Sequence, residues 1–317
     1  MKRNRSADAT IAAKKIDKIT DATAISKKIK FRKSDLIGWL IMVPTLILFT
    51  FFVWEPLLES IRMSLYSARG VNLQEFVGLD NYKAVINSVY FKAAFLNTFK
   101  YILWSLIIGF LVPIIAAILI SETVHMKGFF RTAVYFPNIV PGMAVSIMWV
   151  YFFKPGDTGV LNILLGKCGI EPSVWLNSAA LVVPLIVLAL TWKGFGSTSL
   201  IYMASISGIN PEYYEAAAID GAGVMQRIFH ITIPSILSMG KTMLILQVIS
   251  VFQILYEPLV LTNGGPNNAS ISVMLLVYRY AFQDFNYPYA AALSVMICIV
   301  LILLSGLYMK LTKSKED

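Results

Sequence analysis

Residues 210–234 read NPEYYEAAAIDGAGVMQRIFHITIP, a polar, helix-prone stretch between two long apolar runs. Asn210 is a good helix N-cap, Pro211 a good first helical residue, and Glu212 and Glu215 suit the positive end of a helix dipole. A helix is expected through EYYEAAAID, with an interruption at Gly221 and Gly223. A second short helix carrying Val224, Met225, Ile228 and Phe229 should follow, with Pro234 starting the next apolar segment. The expected product is a helix, a glycine bend and another helix lying against a membrane surface.

The membrane is implied by composition. The chain has 317 residues, of which 57% are hydrophobic and 14% charged, whereas soluble domains carry about 25% charged residues. Crossing about 30 Å of hydrocarbon takes roughly 20 apolar residues. On that measure the sequence predicts spans at 36–61, 95–120, 129–153, 180–204, 233–261 and 289–311, an all-α polytopic membrane protein with six transmembrane helices. Prolines 44, 113, 137, 141 and 184 fall within these spans, where neighbouring helices and hydroxyl groups can satisfy the freed carbonyls. Pro137 and Pro141, on either side of Asn138, predict an opened turn that exposes backbone polar groups to a central path.

Basic residues set the expected orientation. Lys2, Arg3, Arg5, Lys14, Lys15, Lys18, Lys27, Lys28, Lys30, Arg32 and Lys33 precede the first span against only Asp8, Asp17 and Asp21, and Lys310, Lys313 and Lys315 end the chain. Both termini, and with them the 210–234 loop, are expected to be cytoplasmic. Residues 1–34 read as a basic cytoplasmic tail ahead of a signal anchor, because the apolar run is too long for a cleaved signal and no small-residue cleavage site follows it. Isoleucines 11, 16, 19, 25 and 29 suit either a weakly amphipathic helix on anionic membrane lipid or a disordered tail that enforces topology. Either way the tail accounts for most of the net charge of +9 without nucleic acid as a partner. Cys168 is expected outside and Cys298 inside the last span, depths that make a disulfide between them improbable.

Most chemical motifs are absent. Gly166-Lys167-Cys168 lacks the spacing of a phosphate loop, so ATP is not expected to bind this chain. His125 and His230 have no second metal-type ligand at useful spacing, and no nucleophile, base and orienter set is evident, so neither a metal site nor a catalytic residue is expected. Lys193, in TWKGFGSTS, is the cation near mid-span; it either lines a path, meets another subunit, or snorkels to a surface. A stand-alone secondary carrier or channel would need a buried ion site or inverted repeats, and neither is apparent by eye.

With these residues in view, EAAAIDGAGVMQRIFHITIP resembles the EAA motif of binding-protein-dependent ABC importer permeases: Glu-Ala-Ala, three residues, Gly, nine residues, Ile, one residue, Leu, Pro. Glu215, Ala216, Ala217, Gly221, Ile231 and Pro234 match, and Ile233 replaces the usual leucine. FVGLDNYKAV, NTFKYIL, YFPNIVPGMAVSIMWVYFFKPGDTGVLNILL, LTNGGPNNAS and YAAALSV are similar to the carbohydrate branch of that family, with permeases of the maltose and glycerol-phosphate importer type, from residue 36 onward. ASISGINPE and NYPYAAA depart from the usual pattern, the second at the outer gate.

The resemblance implies a type I importer permease fold over residues 35–317, with a coupling loop at 205–233 that docks on a separate ATPase. Glu215 would be the charged contact, Ala216, Ala217, Asp220, Gly221 and Ala222 the closely packed surface, and Ile231 and Pro234 the junction to the next span. Implied partners are a second, homologous permease chain, an ATP-binding subunit dimer that holds ATP and Mg, and an extracellular solute-binding protein, all at a bacterial cell membrane. A carbohydrate path needs aromatic faces and side-chain amides. Asn138, Trp149, Trp192, Lys193, Gln247, Gln253 and Tyr256 are the candidates, each open to an alternative reading as packing or interfacial anchor, and Gly264, Gly265 and Pro266 are candidates for a receptor-facing turn.

Overall fold

The computed structural model describes residues 33–123 and 125–313; nearly all of the expected N-terminal tail lies outside them. The chain divides into two units, Met1–Leu57 and Leu58–Asp317. In the first, helix α1 (Lys33–Phe49) passes through a π turn, Thr50–Trp54, into α2 (Glu55–Ser64), which continues into the second unit. Its apolar side chains, Trp39, Leu40, Ile41 and Phe52 among them, are exposed all round, as a helix facing lipid requires.

The second unit opens with a feature the all-α reading lacked, a small antiparallel ribbon of β1 (Tyr66–Arg69) and β2 (Asn72–Phe76), with Tyr66 opposite Phe76 and Arg69 opposite Asn72. Asn81 Nδ2 fastens it by donating to Ser64 O and Tyr66 O, both at 2.9 Å. Helix α3 (Asp80–Asn87) follows, and then one long span made of α4 (Val89–Trp104), a π turn at Ser105–Gly109, and α5 (Leu111–Glu122). Next come α6 (Lys127–Ile139), α7 (Gly142–Phe152), the short α8 (Val160–Lys167) and α9 (Val182–Ser207). Helices α10 (Pro211–Ile219) and α11 (Val224–Arg227) lead through a π turn, Ile228–Thr232, to α12 (Ile233–Phe252). The chain closes with α13 (Tyr256–Thr262), α14 (Val273–Tyr278) and α15 (Tyr287–Lys313).

Among the described residues five helical stretches are long and apolar enough to cross a membrane, and the pair α6 and α7, bent by 94°, makes a sixth when taken as one broken span. The predicted span at 129–153 is thus broken, at the opened turn expected near Pro137 and Pro141. Pro141 has no N–H to donate and forces Val140 out of the helical region, to φ −68° and ψ 134°. The predicted span at 233–261 is corrected, because its helix ends at Phe252. Pro258 cannot donate to the carbonyl of Ile254, and the Ser272 hydroxyl does so instead at 2.6 Å.

Proline also explains three of the four π turns among the described residues, the exception being Arg279–Gln283. The carbonyl four residues before Pro56, Pro113 and Pro234 belongs to Phe52, Gly109 and His230, and each of these lies inside a π turn. Widening the helix there moves that carbonyl off the pyrrolidine ring, and the amide of Phe110 bonds to Ser105 O at 2.8 Å instead of to the usual partner.

The core sits around α9. Val182, Val183, Ile186 and Val187 pack with Tyr101, Phe153, Val251 and Leu261. A second cluster joins Val85, Ala94, Ile271, Leu275, Leu276 and Leu293. At Gly196 a Cβ would stand 2.1 Å from Val134 O, so only glycine allows α9 to lie against α6. Both cysteines are free, Cys168 exposed and Cys298 half-buried, as their expected depths required.

Candidate functional site: a capped surface helix and a polar cavity

Helix α10 starts as its sequence dictates. Asn210 Oδ1 accepts from the Glu212 amide at 3.1 Å and Pro211 occupies the first helical position. It ends in a paired C-cap, with Ala222 N bonded to Ala217 O at 2.8 Å and Gly221 N to Ala218 O at 3.1 Å. Gly221 has φ +77°, the left-handed conformation this cap needs. Gln226 Oε1 then accepts from Gly223 N at 2.8 Å and starts α11.

Two contacts tie this loop to the spans. Tyr214 and Thr232 share a hydroxyl–hydroxyl hydrogen bond of 2.9 Å, and Arg227 Nη2 lies 4.0 Å from Glu122 Oε2 at the end of α5. Ala217, Asp220, Gly221, Ala222 and Ile231 gather with Gln226, Arg227 and His230 around one cleft of about 340 Å³. Glu215 and Ala216 face outward, together with Tyr213 and Ile219, the latter 88% exposed; Pro234 lies further along, also exposed. The separate second helix expected here is instead the first turn of a continuous 29-residue segment, Val224–Phe252. The π turn lets that helix run through Pro234, so the proline marks no start. Of the four expected anchors, Ile228 is buried while Val224, Met225 and Phe229 are exposed.

A second feature is a cavity of about 280 Å³ lined from α4–α5, α9, α12 and the break after Phe252. Of the expected path residues, Gln247, Gln253 and Tyr256 line it. Gln247 Nε2 donates to Ser105 Oγ at 2.5 Å, joining α12 to the π turn of the second span. The other candidates stand apart from the cavity lining. Asn138 is half-buried beside the bend between α6 and α7. Trp149 stacks on Phe153 at 4.9 Å and meets Trp192 edge-on at 5.9 Å, in packing rather than on the cavity wall, with its indole N–H buried without a hydrogen-bond partner among the described residues. Lys193 Nζ lies 3.5 Å from where a Cβ on Gly142 would stand.

The sequence reading missed Ser105, Thr191, Thr198, Ser250 and Glu257, all on the cavity wall. Glu257 was the one with a signal, a carboxyl within the apolar run expected to form the fifth span; burial pushes it above the usual carboxylate range, against a backbone hydrogen bond and the charge of Lys193. The turn at Gly264, Gly265 and Pro266 packs inward: Gly264 is buried, and its neighbours are held by Arg279 Nη2 on Asn263 O at 2.5 Å, Asn97 Nδ2 on Asn268 O at 2.7 Å and Tyr101 OH on Ser270 O at 2.9 Å. Asn263 and Asn267 are its outward-facing residues.

Residues 109–314 match the family described as the binding-protein-dependent transport system inner membrane component. The chain is 31% identical to the multiple sugar-binding transport system permease protein MsmF of Streptococcus mutans, over 88% of this chain and 96% of that one. It is 29% identical to the sn-glycerol-3-phosphate transport system permease protein UgpA of Escherichia coli, over 89% of this chain and 96% of that one. Among solved structures it is similar to a chain of a bacterial ABC transporter involved in the import of the acidic polysaccharide alginate, at 26% identity and a TM-score of 0.80, covering 90% of this chain and 98% of that one. The protein therefore belongs to the inner membrane components of binding-protein-dependent transport systems. It is a multi-pass membrane protein that serves an ABC importer as a permease subunit, a transport role rather than an enzymatic one.

Proposed function

We propose that this chain forms half of the path of a carbohydrate importer and that α10 is the element through which a separate ATPase drives it. The observation that carries this reading is the arrangement of α10: capped at both ends, presenting Glu215, Ala216 and Ile219 outward, and bonded to the base of α12 through Tyr214 and Thr232. A stiff element with an exposed contact face and a fixed link to a span is what force transmission needs. ATP and Mg belong to the ATPase dimer, a second homologous permease completes the path, and an extracellular solute-binding protein delivers the sugar. Both termini and α10 face the cytoplasm, which the basic residues near the span ends support. The cavity with its amides and hydroxyls, Gln247, Gln253, Tyr256 and Ser105, is the segment of path that meets sugar hydroxyls.

The test is ATP hydrolysis by the reconstituted complex of both permeases, ATPase and receptor, comparing the native chain with Glu215→Ala plus Gly221→Asp. Receptor-stimulated hydrolysis should disappear while the subunits still co-purify. Stimulation that survives the double change would make α10 a passive surface hairpin.

A further inference from the structure

The polar side chains lining the cavity are hydroxyls and amides set among apolar residues, and a single one is a formal ion, Glu257. It sits in the first turn of α13, just past the break that ends α12, so its carboxylate stands on the wall where helical backbone gives way. Lys193 is the cation whose field reaches it, yet the Lys193 ammonium lies beside Gly142 and does not line the cavity. The cavity therefore holds one carboxyl and no cation among its lining residues, so the charge its wall can present is negative.

We infer that the cargo of this path is an uncharged or amino-bearing carbohydrate and that Glu257 is the residue that turns acidic ones away. The inference rests on the carbohydrate reading above. An ionised carboxylate accepts hydrogen bonds and donates none, so it suits sugar hydroxyls and pairs with an ammonium. A uronate or phosphate brought within a few ångströms would meet like charge in a partly dehydrated site, where repulsion is stronger than in water. The similar proteins do not suggest this, since the names of two of them carry anionic cargo, alginate and sn-glycerol-3-phosphate.

Three labelled oligosaccharide pools, neutral, glucosamine-containing and uronate-containing, test the point in two ways. ATP-driven uptake by the complete importer with its receptor should occur for the neutral or glucosamine pool and not for the uronate pool. Binding of the same pools to the nucleotide-free complex in nanodiscs, with no receptor present, should show the same preference. Glu257→Gln, which keeps size and assembly, should raise uronate binding at least about tenfold and remove any advantage of the glucosamine pool. Uronate uptake by the native chain, or an unchanged preference in an assembled Glu257→Gln complex, would overturn the inference. Uptake of none of the pools would instead overturn the carbohydrate reading, and this assignment with it.

Discussion

At Gly196 the two helices of the core approach so closely that a methyl group has no room: its carbon would lie 2.1 Å from a backbone oxygen of Val134. Gly196→Ala should therefore lower stability by about 1–3 kcal/mol, the usual range for overpacking, seen as a lower midpoint of thermal unfolding in detergent. Ser272 works differently, since its hydroxyl replaces a donor that Pro258 lacks. Ser272→Ala leaves the Ile254 carbonyl unpaired and should cost about 1–3 kcal/mol, whereas Ser272→Thr should retain most of the stability. Neither role could be read from the residue type. Glycine in an apolar run marks a close approach or a bend alike, and a serine serves a carbonyl that only the fold brings near. Glu215, by contrast, could be singled out in the sequence because its neighbours stand at fixed spacing from it along one short chain segment, and the structure shows it exposed.

Among the elements, α10 was legible to its ends because its caps are local chemistry: Asn210, Pro211 and Gly221 act within a few residues of where they stand. The fifth span was read as unbroken, and the third as one span with an opened turn, because hydropathy averages over a window longer than a break of two or three residues. Proline was the available signal in both, and the opened turn expected near Pro137 and Pro141 does appear, at Val140 and Pro141. The fate of Pro234 was missed because a proline can be absorbed by a wider turn as well as mark a start. Its replacement gives an element-scale prediction. In Pro234→Ala the steric reason for the π turn at Ile228–Thr232 is gone. A regular helix there would rotate Thr232 by about 100° relative to α12. Tyr214 then loses its partner, and receptor-stimulated hydrolysis should fall although the ATPase still co-purifies. Stimulation at the native level would mean that the Tyr214–Thr232 link carries no force.

For the whole molecule, the orientation proposed from the basic residues can be checked with the exposed thiol already present. Membrane-impermeant maleimide added to sealed right-side-out vesicles should label Cys168, which is exposed in the loop after α8. A cysteine introduced as Ala216→Cys in the Cys168→Ser background should label only after the vesicles are opened or inverted. Labelling of both thiols from the same side would overturn the assignment of α10 to the cytoplasm. For the broken span the sequence carried the place of the break, at Pro137 and Pro141, but not its angle, because composition specifies that α6 and α7 are apolar and not that they meet at 94°.

The bond from Gln247 to Ser105 joins two spans across the proposed path. The Gln247 amide already holds a hydroxyl on the opposite span, so a sugar entering there as proposed would exchange one hydrogen bond for another of similar strength. Such an exchange is close to neutral in free energy, and it parts the two spans as it happens. At this pair of residues the proposed path would have little hold on a neutral sugar and would let it depart as readily as it arrived.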